Sequence, residues 1–244
     1  MKITFLGTSH GVPEVNRRCQ SIMFEVGDKV YFVDMGTQSI EGLITRKIPI
    51  ESVKSVFLTH MHGDHTNGLI SFVDLCSWYF KEAKPSFYIP GSGEKAKELI
   101  GAWLEFNDSH IRDFEFNTVK EGLFYDDGNI KVTAYRTKHS AFSYSYVIEA
   151  ENKRILVTGD FCGEGPVVDF PISVLDKPVD VAICECVHFG AGEYSKVLKG
   201  NENLKKMVIV HYNDKESSKI AINKLKEDLN MPFIVAVDGF ELTV

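Results

Sequence analysis

Residues 59–65 read Thr-His-Met-His-Gly-Asp-His, directly after the apolar run Ser55-Val56-Phe57-Leu58. A chain with this stretch must end a strand in a short loop that aims several metal-type side chains at one place. Neutral imidazole and carboxylate are good ligands for divalent transition metals, zinc above all. An extended backbone puts His60 and His62 on one face, two residues apart. A turn at Gly63 then presents Asp64 and His65 in another direction. One loop can so aim two ligand pairs at two neighbouring points, a geometry that suits two metal ions better than one. A lone His is most often an ordinary surface residue, but three His and an Asp at one strand end call for function.

The chain has 244 residues, the size of one large α/β domain or two small ones. It is read here as a single domain, 1–244, because no linker, low-complexity tract or short repeat interrupts it. The net charge of −7, from 27 basic and 34 acidic residues, argues against a broad electrostatic grip on nucleic acid. A local basic patch stays compatible with it. No apolar run reaches membrane-spanning length, so no membrane partner is expected. The N-terminus reads as a first strand and not as a signal peptide. Cys19, Cys76, Cys162, Cys184 and Cys186 have no framework spacing, which points to a reduced, cytoplasmic compartment. Cys184 and Cys186 alternate along an apolar strand and read as small core thiols.

Strand-like runs are expected at 2–6, 21–26, 29–34, 55–59, 86–89, 130–137, 143–149, 154–158, 179–185, 207–211 and 233–237. Helical patterns cover 38–46, 67–80, 94–105 and 216–229, with starts marked by Ser92 and by Ser217/Ser218. This order predicts α/β architecture with mixed sheets and helices outside. Two halves echo each other loosely, with a break expected near 121–129. Trp78, Tyr79 and Phe80, at a helix end, read as core packing, with a pocket wall or a dimer face as alternatives; a homodimer is left open.

Three later strands also end in a ligand-capable residue: His139 after Tyr135-Arg136-Thr137-Lys138, Asp160 after Val157-Thr158-Gly159, and His211 after Val208-Ile209-Val210. Parallel strand ends gather at one sheet edge, where α/β folds carry sites. With His60, His62, Asp64 and His65 they make seven candidate ligands, five His and two Asp. That is the number two metals need with one bridging carboxylate.

The cluster resembles the HxHxDH signature of the metallo-β-lactamase superfamily, and His139, Asp160 and His211 follow in the order of its later motifs. Within the superfamily the chain looks most like the ribonuclease Z and small phosphodiesterase branch. Leu6-Gly7-Thr8-Ser9-His10-Gly11-Val12-Pro13 resembles its opening loop, Val33-Asp34-Met35-Gly36-Thr37-Gln38 its second motif, and Ala236-Val237-Asp238-Gly239 its closing strand. The resemblance implies a four-layer αβ/βα sandwich with two metal ions, Zn2+ first and Mn2+ or Fe as alternatives. It implies that His60, His62 and His139 bind one metal, Asp64, His65 and His211 the other, and that Asp160 bridges.

In ribonuclease Z a Gly/Pro-rich arm that grips tRNA is commonly inserted. In the bacterial type it lies between the positions of His139 and Asp160. Here these are 21 residues apart, filled by two strands and a turn at 151–153. No arm fits, so tRNA 3′ processing is not expected, and nucleic acid is the less favoured substrate. The expected reaction is attack on a small or cyclic phosphodiester, or a nucleic-acid end, by a hydroxide shared between two metals roughly 3.5–4 Å apart. Asp64 would orient that nucleophile, and Glu185 or His188 would protonate the leaving oxygen. Asp34 would hold a ligand His in place, and His10 would at most line the pocket. The competing readings are an acyl hydrolase of thioesters or lactones on the same site, and a non-hydrolytic redox or regulatory metal protein.

Overall fold

The computed structural model describes residues 1–244. The first half of the chain supplies β1 (Lys2–Gly7), β2 (Ser21–Val26), β3 (Lys29–Met35), β4 (Val53–Phe57), β5 (Ser86–Ile89) and β6 (Phe116–Thr118). The second supplies β7 (Gly122–Asp126), β8 (Lys131–Arg136), β9 (Tyr144–Ala150), β10 (Lys153–Val157), β11 (Val181–Cys184), β12 (Met207–Ile209) and β13 (Phe233–Val235). The last strand, β14 (Glu241–Thr243), returns to the first sheet. The two seven-stranded sheets have the orders β14-β1-β2-β3-β4-β5-β6 and β13-β12-β11-β10-β9-β8-β7. Each opens as an antiparallel meander and continues as parallel strands from β3 to β6 and from β10 to β13.

Side chains alternate across each strand, and here both faces are apolar. On β3, Tyr31 and Val33 face one core while Val30 and Phe32 face another. On β10, Ile155 and Val157 share the core of Tyr31 and Val33, while Leu156 faces away from it. The shared core therefore lies between the sheets. The outer face of the first sheet is covered by α1 (Ser39–Thr45), α3 (Leu69–Trp78) and α4 (Gly93–Phe106). The outer face of the second is covered by α6 (Glu193–Leu198) and α7 (Glu216–Leu229), with the one-turn α5 (Pro166–Asp169) packed on α6. The one-turn α2 (Gly63–Thr66) contacts β3. This is the four-layer αβ/βα order expected from the sequence.

Several local expectations need correction. The break between halves falls at 119–121, not 121–129, because β7 occupies 122–126. β7 is a half-exposed edge strand and lacks a clean apolar alternation. Trp78 and Tyr79 are more than half exposed. The buried face of α3 runs through Leu69, Phe72, Val73 and Cys76, so the next residues point away, and only Phe80 packs on the core. Ser92 does cap α4, accepting from Lys95 N at 3.2 Å, but Ser217 and Ser218 lie inside α7. Asn213 Oδ1 accepts from Lys215 N and Ser218 Oγ just before it. Cys184 and Cys186 are buried thiols in the outer core of the second sheet, as expected, and burial pushes Cys186 up to about 12.

Candidate metal centre

The carboxyl ends of β3, β4, β8, β10, β11 and β12 meet at one edge of the sandwich. They deliver Asp34, Thr59 with His60, His139, Asp160, Glu185 and His211. The 60–65 segment is not a strand, as an extended reading of His60 and His62 required. β4 ends at Phe57, the chain loops through His60 and His62, and α2 begins at Gly63, so Asp64 and His65 ride on one helical turn. Two directions of presentation result all the same.

Donor atoms of His60, His62 and His139 come within 4.8 Å of one another, and so do those of Asp64, His65 and His211. Asp160 lies between the two groups. Its Oδ2 is 3.7 Å from His60 Nε2, 3.6 Å from His139 Nε2 and 3.4 Å from His65 Nε2, and its Oδ1 is 3.6 Å from His211 Nδ1. All seven expected ligand residues are thus brought together. Three of their atoms, His60 Nε2, Asp160 Oδ1 and His211 Nδ1, are buried without a hydrogen-bond partner. An unsatisfied buried polar atom costs about 1–3 kcal/mol. Two further contacts, His62 Nδ1 to His139 Nε2 at 3.0 Å and His65 Nε2 to His211 Nε2 at 3.3 Å, set ring nitrogen against ring nitrogen. Lone pairs that converge and lack protons fit divalent cations, and imidazole with carboxylate is a donor set suited to them.

The electrostatics agree. Burial, reinforced by His65 nearby, pushes His60 down to about 2 despite Asp160. Burial also lowers His139. Burial resists ionisation of Asp160 and Asp64, yet the surrounding imidazoles outweigh it and hold both carboxyls well below their usual range. Neutral imidazole and ionised carboxylate are the forms that bind metal. His65 runs the other way. Burial opposes its charge, but Asp160 and Asp34 overcome this and raise it. It is the proton that a cation would replace.

Outer contacts fix the rings. Asp34 is fully buried at φ 59, and its carboxylate accepts from Thr59 N at 2.8 Å, Thr59 Oγ1 at 3.0 Å and His65 Nδ1 at 2.7 Å, turning His65 Nε2 inward. His139 Nδ1 meets Phe161 O at 3.1 Å, so its Nε2 faces the cluster. Asp169, which sequence reasoning missed, accepts from Lys138 N at 2.9 Å and Cys162 N at 2.6 Å and ties the loop of His139 to that of Asp160. Gly159, at φ +58, has no room for a side chain: a Cβ would stand 2.8 Å from Tyr144 O and 2.9 Å from Thr59 Cβ. It lets Asp160 turn in at a left-handed position.

Glu185 and His188 also reach the site edge. Glu185 is buried, and its oxygens accept from Phe161 N at 2.7 Å, Val187 N at 3.0 Å and His188 N at 3.3 Å, as well as meeting His188 Nδ1 at 2.9 Å. His188 is partly exposed, stacked on His211 with ring centroids 5.6 Å apart. Burial disfavours its charge, but the bond to Glu185 outweighs that and raises it. His10 pairs with Glu14 at 3.1 Å and joins neither donor group.

The model of a protein family described as Anti-Pycsar protein Apyc1 matches residues 1–237. Ribonuclease Z of Methanocaldococcus jannaschii is 28% identical over 157 residues, which cover 63% of this chain and 49% of that protein. The chain spans about half the length of the curated relatives it matches. Among solved structures, the metallo-beta-lactamase fold protein YhfI from Bacillus subtilis superposes with a TM-score of 0.81 at 17% identity, covering 99% of this chain and 98% of that one. Human tRNase Z, short form, gives 0.75 at 17% identity and covers 100% and 99%. The fold is therefore the metallo-β-lactamase sandwich.

Proposed function

Because the chain belongs to the family of Anti-Pycsar protein Apyc1, we propose that residues 1–244 act as one metal-dependent hydrolase that cleaves a small or cyclic phosphodiester. The observation that carries this reading is the carboxylate of Asp160 between two converging donor groups with unpartnered buried atoms. His60, His62 and His139 would hold one divalent ion and Asp64, His65 and His211 a second, with Asp160 reaching both. The donors suit Zn2+ first and Mn2+ or Fe next. Such ions supply positive charge against phosphoryl oxygens and make water acidic enough to attack at neutral pH.

The chain's own residues do the rest. Asp64 Oδ2, 3.1 Å from His211 Nε2 and 3.3 Å from His65 Nε2, stays ionised and orients the attacking water. His188 protonates the leaving oxygen. Glu185 is unsuited to that task, because both its oxygens already accept backbone N–H groups; it aims and charges His188 instead. The β9–β10 hairpin fills the interval between His139 and Asp160 and leaves no arm for a folded RNA there. The net charge of −7 offers little counterion-release gain on a polyanion. Five free thiols suit a reducing compartment, and we assign the protein to the cytoplasm.

A second copy of the chain is the proposed protein partner. Leu99, Trp103 and Phe106 form an exposed stripe on α4, and exposed Trp78 and Tyr79 lie near it: Trp78 Nε1 and Ser109 Oγ both bond Asp74. With roughly 150–250 Å² on each of the four aromatic side chains and less on Leu99, the five expose roughly 600 Å². That approaches the roughly 800 Å² per partner of a stable interface. Sedimentation should show a dimer that Leu99→Glu/Trp103→Glu dissociates, and a monomeric wild type would remove this partner.

Activity is tested by measuring kcat/KM for cyclic nucleotide and bis-aryl diesters, precursor tRNA, thioesters and lactones. Diesters should lead. Position-specific cleavage of precursor tRNA would favour a tRNA-processing enzyme, and turnover confined to thioesters or lactones would favour an acyl hydrolase.

A further inference from the structure

Arg17 is a cation 5% exposed, with no place in the chemistry above. Its Nη1 donates to Thr8 O at 3.1 Å, and its Nη2 to Tyr212 O at 2.9 Å and Asp214 Oδ1 at 2.9 Å. The guanidinium also lies over the Tyr212 ring, 3.8 Å from its centroid. The same Thr8 carbonyl accepts from His211 N at 2.8 Å. Thr8 is held from the other side by Asp238, which accepts from its N and its Oγ1, both at 2.9 Å. His211 sits at φ 48, a left-handed conformation that a non-glycine residue keeps only when its surroundings impose it.

We propose that Arg17 is the positioning residue that holds His211 in this conformation, and so sets where its imidazole meets Asp64 and His65. The chain of contacts is short. Arg17 grips the carbonyls on either side of the turn, Thr8 O across from His211 and Tyr212 O just after it. Two buried carbonyls and one carboxylate converge from different directions, which a planar fork of five donors can serve and a single ammonium cannot. The ring of Tyr212 closes the remaining face of the guanidinium. Once the clasp is removed, the His211 turn relaxes toward negative φ. The imidazole then swings away from Asp64 and His65, while His60, His62 and His139, carried on other loops, keep their places.

Two readouts test this, and only the second rests on the proposed metal site. The first is hydrogen exchange of the His211 amide in the metal-free protein. It should speed up at least about tenfold in Arg17→Ala with the protection of β10 and β11 unchanged. The second is titration of Zn2+ against a competing chelator. One of two binding steps should weaken by about 10–100-fold, the range for losing an outer contact to a metal ligand. Millimolar methylguanidinium should restore it. Arg17→Lys, which keeps the charge and guards against a misfolded Ala variant, should behave like Arg17→Ala. Arg18→Ala, at an exposed neighbour, should behave like wild type. Unchanged His211 exchange in both Arg17 variants overturns the proposal, as does an equal loss in both metal steps. If wild type takes up no metal the metal reading fails, and the exchange measurement still decides the role of Arg17.

Discussion

The two ends of the sandwich hold charge in opposite ways. At the end away from the metal-type cluster, a groove of about 650 Å³ is lined by Lys131, Lys153, Arg154, Lys177 and Lys205 together with Glu149, Glu151 and Asp180. Three of its five cations are paired at the surface: Lys205 with Asp180 at 2.9 Å, Lys131 with Asp126 at 3.1 Å, Arg154 with Glu149 at 3.6 Å. At the cluster end, His60, His65, Asp160 and His211 are buried, and three of their atoms have no partner. Both ends hold left-handed residues, Glu151 and Asn152 in the β9–β10 turn at the groove, Asp34 and His211 at the cluster, but only the second pair reaches the unpartnered donors. A site is marked by unmet coordination, which the size of a groove does not report.

Mutation should separate the ends sharply. The largest effect is expected at Asp160, the residue shared by both donor groups: Asp160→Ala should remove most bound metal and lower kcat/KM by more than about 10³-fold, read by elemental analysis and steady-state kinetics. Asp64→Ala should cost at least ~100-fold in rate, the lower range for a positioned acid–base group, while the melting temperature moves little. Near-normal turnover in that variant would take Asp64 out of the mechanism. Lys205→Ala at the far groove should change kcat/KM less than twofold, and stability by no more than about 1 kcal/mol, as for an exposed ion pair. A large loss of activity there would break the contrast.

The smallest effect concerns pH. Asp127, in the β7–β8 turn, accepts from Tyr31 Oη at 2.6 Å and from the backbone N–H groups of Asn129 and Ile130, and so ties the two sheets. Burial would raise its carboxyl, but these bonds prevail and hold it at about 2. A depressed folded-state value means stabilisation that is present above the ordinary carboxylate range and lost as pH falls toward 2. The melting temperature of wild type should therefore drop more steeply between pH 4 and pH 2 than that of Asp127→Asn. Both share the same cluster, so the difference isolates this tie.

Legibility in the sequence followed how local each feature is. The 60–65 cluster, the strand-terminal His139, Asp160 and His211, and the helix at 216–229 could be read because a few neighbouring residues carry the pattern. β6, β14 and the half-exposed β7 could not, since short edge strands are stabilised by partners far along the chain. The exposure of Trp78 and Tyr79 was likewise hidden, because an aromatic at a helix end is buried only if another layer reaches it. Arg17 and Asp169 left no trace, as each serves backbone groups that only the fold brings near. The chain returns His211 to the opening loop through Thr8, a contact across about two hundred residues.

Seven side chains from both halves of the chain would form one metal centre. The most direct test is anomalous diffraction from crystals of stringently purified protein supplied with zinc. Two peaks are predicted, one among His60, His62 and His139 and one among Asp64, His65 and His211, both within reach of Asp160. No peak at this edge, with no metal gained from zinc, manganese or iron, would contradict the account.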